Sequence, residues 1–530
     1  MNLSKSVVCL IMLGASTVLG MQAQTIHNDV FWDTSDGTPL YSQGGGIFKF
    51  PEPETGRMAY YWYGSHFKEA EQYRQDPSVT LERNSILGVS CYKSYDFVNW
   101  QDMGHVMTLD EITGGRRWAG WFCRMGVAYI EETKQYALLS QHNNSVMVAL
   151  ADKPTGPFKV HKHIDMKPMI GTSNTGDQTV FTDEDTGRDY LIYSYGNGRH
   201  KGYISEIGVL EDGTIGLKNC VEVFKGASRE GNCMFKYRGK YYLCASNIYG
   251  WDSSFAYYLV SDSIYGPYQP VDDMQVMPGC ERDYAHITQT GFFYTLRGTE
   301  QETVIYCGDR WCDFAGNGLG YNQWFPLSFQ GDKPYFNSLS AWTLDAHTGL
   351  WQVHPDNNYV LNGSFEADRR LLPIPNKPRQ EYMLGWDTKV LKGNAVSLDN
   401  PHTPHLNYLN TKEDRQHVIG EKSLCMSDSV DFDREVSQEV LSTPFVSVPD
   451  GDYELRLKFR ERGKWDVLKV TVESGGKQTF LDLKRLKSND QWTEAVLKTR
   501  IKGGKARIVF RAKGKAMAQC LVDDVELTTE

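Results

Sequence analysis

A hairpin pattern that occurs five times is the feature of this sequence that most limits the folds available to it. Each copy has an apolar strand that opens on a polar residue, a short polar turn, and a second strand rich in tyrosine, which is typical of a β-hairpin. Because five spaced copies of a four-stranded sheet indicate a propeller, we predict an all-β chain with a five-bladed β-propeller over residues 25–355. The five hairpins occupy residues 45–64, 124–141, 177–196, 230–246 and 289–311.

Two of the intervals between hairpins contain similar segments. PTGPFKV at residues 154–160 and IYGPYQP at residues 264–270 follow the second and fourth hairpins. We interpret both as outer strands of their blades. The alternative for the whole region is a β-sandwich in which the similarity is a coincidence.

The pattern changes after residue 355. A proline-rich, loop-like stretch extends to about residue 405 and is followed by five strands with alternating apolar residues, so we predict a β-sandwich over residues 356–530. Its opening NGSFE motif and its closing VDDVEL motif resemble those of jelly-roll carbohydrate-binding modules. Three tryptophans of this domain could stack on sugars or could belong to its core, namely Trp386, Trp465 and Trp492.

The charge of the chain argues against a nucleic-acid partner. The 530 residues include 56 Lys and Arg against 66 Asp and Glu, a net charge of −10, and no dense basic run is present. The 30 tyrosines, 13 tryptophans and 49 glycines suit strands joined by tight turns, and also surfaces on which sugars stack. We therefore predict a monomer whose partner is an oligo- or polysaccharide, with no nucleic acid and no membrane span.

Residues 1–24 have the organisation of a bacterial-type signal peptide. Lys5 precedes an apolar run from Val7 to Leu19, and small residues follow near the expected cleavage site. We predict export to the periplasm or the extracellular space; the alternative is a membrane anchor, although the run is short for a span. Apart from Cys9, ten cysteines remain and form no C-x-x-C pair. We expect mostly buried free thiols, with one or two disulfides open.

The propeller geometry predicts where a site would form. The innermost strand of each blade points toward the central axis, so polar residues at the heads of these strands should converge on one funnel. These residues are Gln43, Cys123 with Arg124, Asp177 with Gln178, Glu230, and Gln289.

Glu230 is the strongest candidate for chemistry because an apolar strand follows it directly. Burial would raise the pKa of its carboxyl and suit it to protonate a leaving group near pH 7; the alternative is a capping glutamate paired with Arg229. Asp177 could keep Glu230 protonated by charge repulsion, or it could be a turn aspartate. Gln289 could orient a water or act through its imidic tautomer, or it could be a structural glutamine.

Weaker candidates accompany these three. Asp309, Arg310 and Trp311 could form a buried ion pair beside an aromatic platform, and His286 could contact a ligand or a metal. We expect no cofactor and no catalytic metal, and leave a structural Ca²⁺ open. The candidate substrate-binding residues are Gln43, Trp62, Cys123, Arg124, Asn197, Asn247, Trp251, Arg310 and Trp311.

Six stretches of the propeller region match a known family. They read DTSDGTPLYSQGGGI, YYWYGS, GVSCYKSYDFVNW, TGDQTVFTDEDTGRDYLIYS, EGNCMFKYRGKYYLCASNIYGW and CGDRW. In order and spacing they resemble glycoside hydrolase family 43, the inverting five-bladed propeller enzymes, over roughly residues 29–345, and are most similar to its exo-β-1,3-galactanase branch. The resemblance implies that Glu230 is the general acid and that Asp177 tunes and positions it. It also implies that Gln289 stands where this branch uses a glutamine instead of an aspartate base.

Three positions depart from the galactanase branch. That branch usually has His where Gln43 stands, and Glu where Ser65 and Cys123 stand. The missing glutamates would bind sugar hydroxyls, and a site built to bind a hydroxyl discriminates strongly. We therefore expect the preferred sugar to differ.

These observations predict an exo-acting inverting glycoside hydrolase that releases galactose, arabinofuranose or galactofuranose units from polysaccharide side chains. A separation of about 6.5–9.5 Å between Gln289 and the carboxyls of Glu230 and Asp177 would suit inversion through a water. The alternative is a non-catalytic glycan-binding propeller, because Asp33 and Asp36 precede the first inner strand and no carboxylate heads it. A structural or adhesive exported protein is a third possibility.

Overall fold

The computed structural model describes residues 24–81, 85–270, 273–312, 317–367, 383–396 and 405–530. Five four-stranded antiparallel sheets follow one another along the chain, and two five-stranded sheets form the C-terminal domain. The predicted five-bladed propeller followed by a β-sandwich is therefore confirmed. Residues 1–23 of the predicted signal peptide lie outside the described residues. Within the described part of the chain, no helix is long and apolar enough to cross a membrane.

Each blade takes its four strands from one continuous stretch of chain, and the innermost strands of neighbouring blades contact each other around the ring. The first strand of the chain pairs outside the blades, with the strand that follows the fifth blade. The strands are β1 Gln24–His27; β2 Gln43–Pro51, β3 Met58–Phe67, β4 Ile86–Ser94 and β5 Gln101–Thr108 in blade one; β6 Phe122–Ile130, β7 Gln135–His142, β8 Ser145–Ala151 and β9 Lys159–Ile164 in blade two; β10 Thr175–Asp183, β11 Arg188–Tyr195, β12 Lys201–Val209 and β13 Ile215–Lys225 in blade three; β14 Glu230–Tyr237, β15 Lys240–Ser246, β16 Ala256–Ser261 and β17 Gln275–Val276 in blade four; β18 Gln289–Arg297, β19 Glu302–Cys312, β20 Asn317–Gln330 and β21 Lys333–Phe336 in blade five; then β22 Ala341–Leu344 and β23 Trp351–Val353.

The two segments interpreted as outer strands are mostly turns that lead to those strands. In blade two the outer strand β9 begins only at Lys159, and in blade four Gln269 makes a single bridge to Val260 before β17. Both segments contain a Gly-Pro pair. Proline has no N–H to donate to a sheet ladder, which explains why pairing is interrupted there.

Helical segments are short in the described residues. They are α1 Lys68–Gln75, α2 Leu109–Thr113, α3 Lys167–Ile170 and α4 Tyr284–Ile287, with 3-10 turns at Asp414–Gln416 and Leu483–Arg485. The segment α4 is a turn of left-handed backbone, with φ between 49° and 62° at all four residues. His286 lies in this turn and bonds to Asp29 at 2.5 Å and to Ser338 at 2.8 Å, so protein groups hold both of its ring nitrogens.

Tryptophans fill the joint between blade one and blade five. Trp62 is 1% exposed and its ring lies 4.8 Å from that of Trp324 and 5.4 Å from that of Trp100, between ring centroids. The prediction that Trp62 binds substrate is therefore wrong. Its side chain lies on the face of β3 that packs against the neighbouring blade, where burial of a large aromatic ring stabilises the ring closure.

The ten cysteines from Cys91 onward are all free thiols. Most of them are buried in strands, as expected, and neither of the disulfides left open by the sequence is formed. The described residues contain no group of three His, Cys, Asp or Glu side chains arranged to hold a metal. The structural Ca²⁺ that the sequence left open stays open.

The C-terminal domain is a sandwich of two sheets whose core contains Trp386, which is 4% exposed. Trp465 packs edge-on against Phe432, and the indole of Trp492 donates to Asp414. Glycan binding by this domain stays a prediction. The strand order is β24 Asp387–Lys392, β27 Phe432–Leu441, β32 Lys505–Gly514, β29 Trp465–Ser474 and β30 Lys477–Asp482 in one sheet, and β25 Asn407–Leu409, β26 Lys422–Ser427, β33 Gln519–Thr529, β28 Gly451–Arg462 and β31 Thr493–Ile501 in the other.

Two arginines fasten the sandwich to the propeller. Arg415 donates to the carbonyls of Pro77, Ser78 and Val79 and to the hydroxyl of Thr80, after α1 of blade one. Arg282 donates to the carbonyls of Gly385 and Glu439 in the sandwich. The sandwich is thus held at two separate places on the propeller.

Candidate active site

The innermost strands share an irregularity at the end where the site forms. In all five of them the pairing with the second strand shifts register near the first residues. A β-bulge bends a strand and redirects the side chains beside it, so these shifts turn the polar strand heads toward the axis. The shifts lie between Gln43 and Gly46, Cys123 and Met125, Thr175 and Gln178, Glu230 and Cys233, and Thr290 and Phe292.

Gly231 joins the third and fourth blades at this irregularity. Its backbone has φ of +61°, and its N–H donates to Asp177 Oδ2 at 2.9 Å. A Cβ at this position would stand 2.4 Å from the carbonyl oxygen of Thr290. Only glycine fits both the left-handed backbone and this close approach.

Arg124 is the buried centre of the site and is 2% exposed. Its Nε lies 3.2 Å from Asp177 Oδ2, its Nη1 donates to Asp309 Oδ2 at 2.5 Å, and its Nη2 donates to Gln289 Oε1 at 2.6 Å. Two carboxylates thus offset one guanidinium that has lost its solvent, which is the condition for burying a charge. The predicted convergence of strand heads is therefore present in blades two to five.

Glu230 is held from two sides and is 8% exposed. Its Oε1 accepts from Gln289 Nε2 at 2.7 Å, and its Oε2 accepts from Arg199 Nη1. Burial raises the pKa of Glu230 to about 7, with the charge of Asp177 adding to the rise and Arg199 and Arg124 opposing it. The carboxyl can therefore carry a proton near neutral pH, which a general acid requires.

Asp177 has the opposite tendency. Burial alone would raise its pKa, but the guanidinium groups of Arg124 and Arg199 and the N–H of Gly231 outweigh burial and lower it. Arg199 Nη1 lies 3.3 Å from Asp177 Oδ1 and also bonds Glu230. Two neighbouring carboxyls whose pKa values are pushed apart are the usual arrangement of one proton donor beside one fixed anion.

Both ends of the Gln289 amide are engaged. Its Oε1 accepts from Arg124 Nη2 and from Trp311 Nε1, the latter at 3.0 Å, while its Nε2 donates to Glu230. The separation of several ångströms that would suit an intervening water is therefore absent between Gln289 and Glu230, which are in direct contact. Arg124 fixes the amide orientation, because a flipped amide would set N–H groups against N–H groups.

The cavity above these groups has a volume of about 430 Å³. One wall is aromatic: the ring of Trp251 lies 5.5 Å from those of Trp121 and Trp311, between ring centroids. The apolar face of a sugar ring can pack on such a wall. The cavity is lined by Trp121, Arg124, Gln141, Asn143, Asn144, Asp177, Arg199, Glu230, Gly250, Trp251, Gln289 and Trp311.

The structure brings together six of the residues predicted from the sequence. These six line the cavity and are Arg124, Asp177, Glu230, Trp251, Gln289 and Trp311.

Arg310 does not join them, so its prediction as a substrate-binding residue is wrong. It is 3% exposed, and its guanidinium points away from the cavity to bond Asp29 at 2.6 Å. The cause is strand alternation, since Asp309 and Trp311 on either side of it face the site.

Gln43 and Cys123 lie beneath the site and not in it. The amide of Gln43 donates to the carbonyl of Arg310 at 3.3 Å. The thiol of Cys123 has no exposed surface and sits 3.8 Å from the carbonyls of Gln43 and Gly44. Burial raises the pKa of Cys123 to about 12, so this thiol is no nucleophile. The predictions of direct substrate contact by these two residues are therefore wrong for this arrangement.

The two predicted asparagines lie just outside the cavity lining. Asn197 is exposed at the rim and accepts from the amide of Asn174 at 3.2 Å. Asn247 accepts from Arg229 at 3.1 Å and donates to the hydroxyl of Tyr257 at 3.0 Å.

Sequence reasoning missed half of the lining. Asn143, Asn144 and Arg199 follow the second strand of their hairpins, in the position that Asn197 and Asn247 occupy. That shared position was an available signal, because the inner hairpin of each blade begins and ends at the same face of the ring. The missed lining residues are Trp121, Gln141, Asn143, Asn144, Arg199 and Gly250.

The comparisons with known proteins agree with this geometry. Residues 52–311 match the model of glycosyl hydrolases family 43. An exo-β-1,3-galactanase from Phanerochaete chrysosporium, solved with β-1,3-galactotriose, is 18% identical, with a TM-score of 0.52 over 94% of this chain and 100% of that one. An exo-β-1,3-galactanase from Clostridium thermocellum gives the same identity, TM-score and coverage. At this identity the two structures show a shared fold. No match was found among curated proteins.

A propeller whose funnel holds a protonatable glutamate beside a fixed aspartate, together with this family match, defines a glycoside hydrolase. The propeller belongs to glycosyl hydrolase family 43.

Proposed function

We propose that this protein is an exo-acting, inverting glycoside hydrolase that releases single galactose-, arabinofuranose- or galactofuranose-type sugars from polysaccharide side chains, with Glu230 as general acid. The observation that carries the proposal is the pair of buried carboxyls in one cavity, Glu230 and Asp177, which Arg199 bonds together. Their pKa values are shifted in opposite directions, upward at Glu230 and downward at Asp177. Such a pair separates the roles of proton donor and permanent anion.

The shape of the cavity supports removal of a terminal sugar. Side chains from four blades bond to one another across its floor through Arg124, Gln289 and Glu230, so the cavity is closed at its floor and is entered from its rim. A chain end can enter from the rim and rest one ring against the tryptophan wall.

In the proposed step Glu230 gives its proton to the glycosidic oxygen as the bond to the anomeric carbon breaks. A water attacks the opposite face of the sugar, and its oxygen becomes the hydroxyl on that carbon. Its proton passes to Gln289 Oε1 while Gln289 Nε2 returns a proton to the Glu230 carboxylate, which leaves Gln289 in its imidic tautomer. Asp177 stays ionised and faces the positive charge that develops on the sugar. Gln289 is the candidate for orienting the water, which requires its amide to exchange at least one present partner when substrate binds.

The contacts of Ser65 and Cys123 give no support for the sugar preference of the galactanases in this chain. Ser65 donates its hydroxyl to the carbonyl of Phe122, and Cys123 is fully buried. Neither position offers a carboxylate to a sugar hydroxyl, so selection must rest on other lining residues.

The stereochemistry of the product tests the proposal. The purified protein is incubated with defined oligosaccharides carrying galactose, arabinofuranose or galactofuranose ends, and the first product is observed by ¹H NMR before mutarotation. We expect one monosaccharide whose anomeric configuration is inverted. A retained configuration, or release of oligosaccharides, contradicts the proposal, and release of nothing would favour a glycan-binding propeller.

The pH dependence of kcat should report the protonation of Glu230. Because the pKa of Glu230 is raised to about 7, the acid form is present below that pH and is lost above it. We expect kcat to fall about tenfold per pH unit on the alkaline side. In D177N the negative charge that helps to raise the pKa of Glu230 is gone, and Arg124 and Arg199 no longer face a carboxylate at position 177. The pKa of Glu230 should therefore fall, and the alkaline decline of kcat should begin at lower pH.

The control for D177N is D212N, which removes the same charge from an exposed turn of the same blade. In D212N the alkaline decline of kcat should occur at the same pH as in the wild type. If the decline is also unchanged in D177N, Asp177 does not tune the pKa of Glu230.

A further inference from the structure

Arg199 has donors that no described residue accepts. Its Nη1 serves both Asp177 and Glu230, whereas no acceptor of the described residues bonds its Nε or Nη2. Its side chain is 29% exposed and lines the cavity. Arg124, by contrast, is 2% exposed, and both of its terminal nitrogens donate to protein acceptors.

The backbone of Arg199 is held in an unfavourable conformation. Its φ is +52°, in the left-handed region that residues with a Cβ adopt only at a cost. Its N–H donates to the carbonyl of Tyr195, and its carbonyl accepts from the N–H of Arg229. The loop after β11 thus fixes the direction of this side chain toward the carboxyl pair, and such strain concentrates at functional sites.

Protonation of Glu230, the state that catalysis needs, makes the charge of the site one unit more positive. The charged members of the lining are Arg124, Arg199, Asp177 and Glu230, and Asp309 pairs with Arg124. With all three carboxyls ionised these groups sum to −1, and with Glu230 protonated they sum to zero. Protonation of Glu230 also removes one of the two anions that face Arg199.

We propose that the sugar taken by this cavity carries a carboxylate or sulfate group, which binds the free edge of Arg199. The proposal rests on the proposed function, because it concerns the sugar that the same cavity would bind for cleavage. A guanidinium presents paired N–H groups in a plane that matches two oxygens of one anion, whereas a hydroxyl uses only one of them. The remaining polar lining, Gln141, Asn143 and Asn144, is neutral and adds no repulsion.

Binding of matched sugars to the wild-type protein tests this inference. Isothermal titration in a buffer free of sulfate and phosphate compares galactose with galacturonate and with galactose 6-sulfate, and glucose with glucuronate. We expect at least one anionic sugar to bind about tenfold or more tightly than its neutral counterpart, as for a charge-assisted hydrogen-bonded pair. The titrations with the two uronates and with galactose 6-sulfate show whether the cavity prefers a carboxylate or a sulfate.

Two variants assign the effect to Arg199. In R199Q the preference for the anionic sugar should shrink to within about twofold. The preference of R199K should lie between those of R199Q and the wild type, because the lysine ammonium keeps the charge but lacks the paired donors. The control R188Q removes the same charge from an exposed position on the same blade, where Arg188 pairs with Glu206, and should keep the preference. Thermal midpoints show whether each variant is folded.

Equal affinity within every pair, no binding by any anionic sugar, or an unchanged preference in R199Q overturns the inference. Failure of the proposed function appears elsewhere, as an absence of released sugar from oligosaccharides with neutral ends and also from oligosaccharides with galacturonate or 6-sulfated galactose ends. A protein that binds galacturonate tightly and cleaves nothing keeps this inference and loses the glycosidase proposal. If the protein cleaves neutral glycans and prefers neutral sugars, the glycosidase proposal stands and this inference is wrong.

Discussion

Replacing Glu230 with glutamine should lower kcat by about 10²–10⁴-fold while ligand affinity changes little. The amide keeps the size of the carboxyl but has a single acceptor oxygen, which can serve only one of the two donors, Gln289 Nε2 and Arg199 Nη1, and it has no acidic proton to give. The loss should depend on the leaving group. A natural sugar leaving group needs the proton, whereas 2,4-dinitrophenolate leaves without it, so E230Q should retain most of its activity on a dinitrophenyl glycoside.

The comparison of the two substrates separates an acid from a residue that only shapes the cavity. A uniform loss on both substrates would contradict the assignment of Glu230 as the acid. E300Q serves as the control, because Glu300 is exposed in the hairpin turn of blade five, at the opposite end of its strands from the site. Its kinetics on both substrates should match those of the wild type.

The fold was predictable because the signal is local and repeated. Each inner hairpin has alternating apolar residues around a turn, and a strand of that kind needs only its neighbour to form. The strand heads were predictable for the same reason, since Asp177, Glu230 and Gln289 each stand at the start of such a strand.

What the sequence could not provide is the direction of individual side chains. Whether Trp62 or Trp311 faces the funnel depends on register, and one residue of shift moves a side chain to the other face of the sheet. Trp62 faces a neighbouring blade and Trp311 faces the cavity, although both lie on inner-hairpin strands. The bulges that decide this arise from pairing between strands.

The contacts between blades could not be predicted from the sequence either. The three side chains that Arg124 joins, at residues 177, 289 and 309, lie far along the chain, and nothing in the local sequence indicates this. Arg199 was missed because a loop arginine usually lies in solvent. Here its loop turns back on the funnel, where two carboxyls share one of its nitrogens.

Arg124 should prove the most sensitive position for stability. In R124M two buried carboxylates, Asp177 and Asp309, lose their main cation, and Gln289 loses one donor. Breaking a buried ion pair from one side costs about 3–5 kcal/mol, because the remaining charge is left without solvent or partner. R124K should recover only part of this free energy of unfolding, since one ammonium cannot reach all three groups that the guanidinium joins.

The dependence of that loss on pH identifies its cause. Burial already raises the pKa of Asp309 with Arg124 present, and loss of Arg124 raises it further. The pKa of Asp177 loses the largest effect that lowers it, so the folded variant binds more protons than the wild type. Its stability should therefore be highest at low pH and fall as pH rises, which makes the difference from wild type larger at pH 8 than at pH 5. In R124M/D309N one stranded carboxylate is gone, and part of the stability should return at pH 8. Thermal midpoints of the four proteins at both pH values measure this; a loss independent of pH, with no recovery in the double variant, would point to lost packing and not to the buried charges.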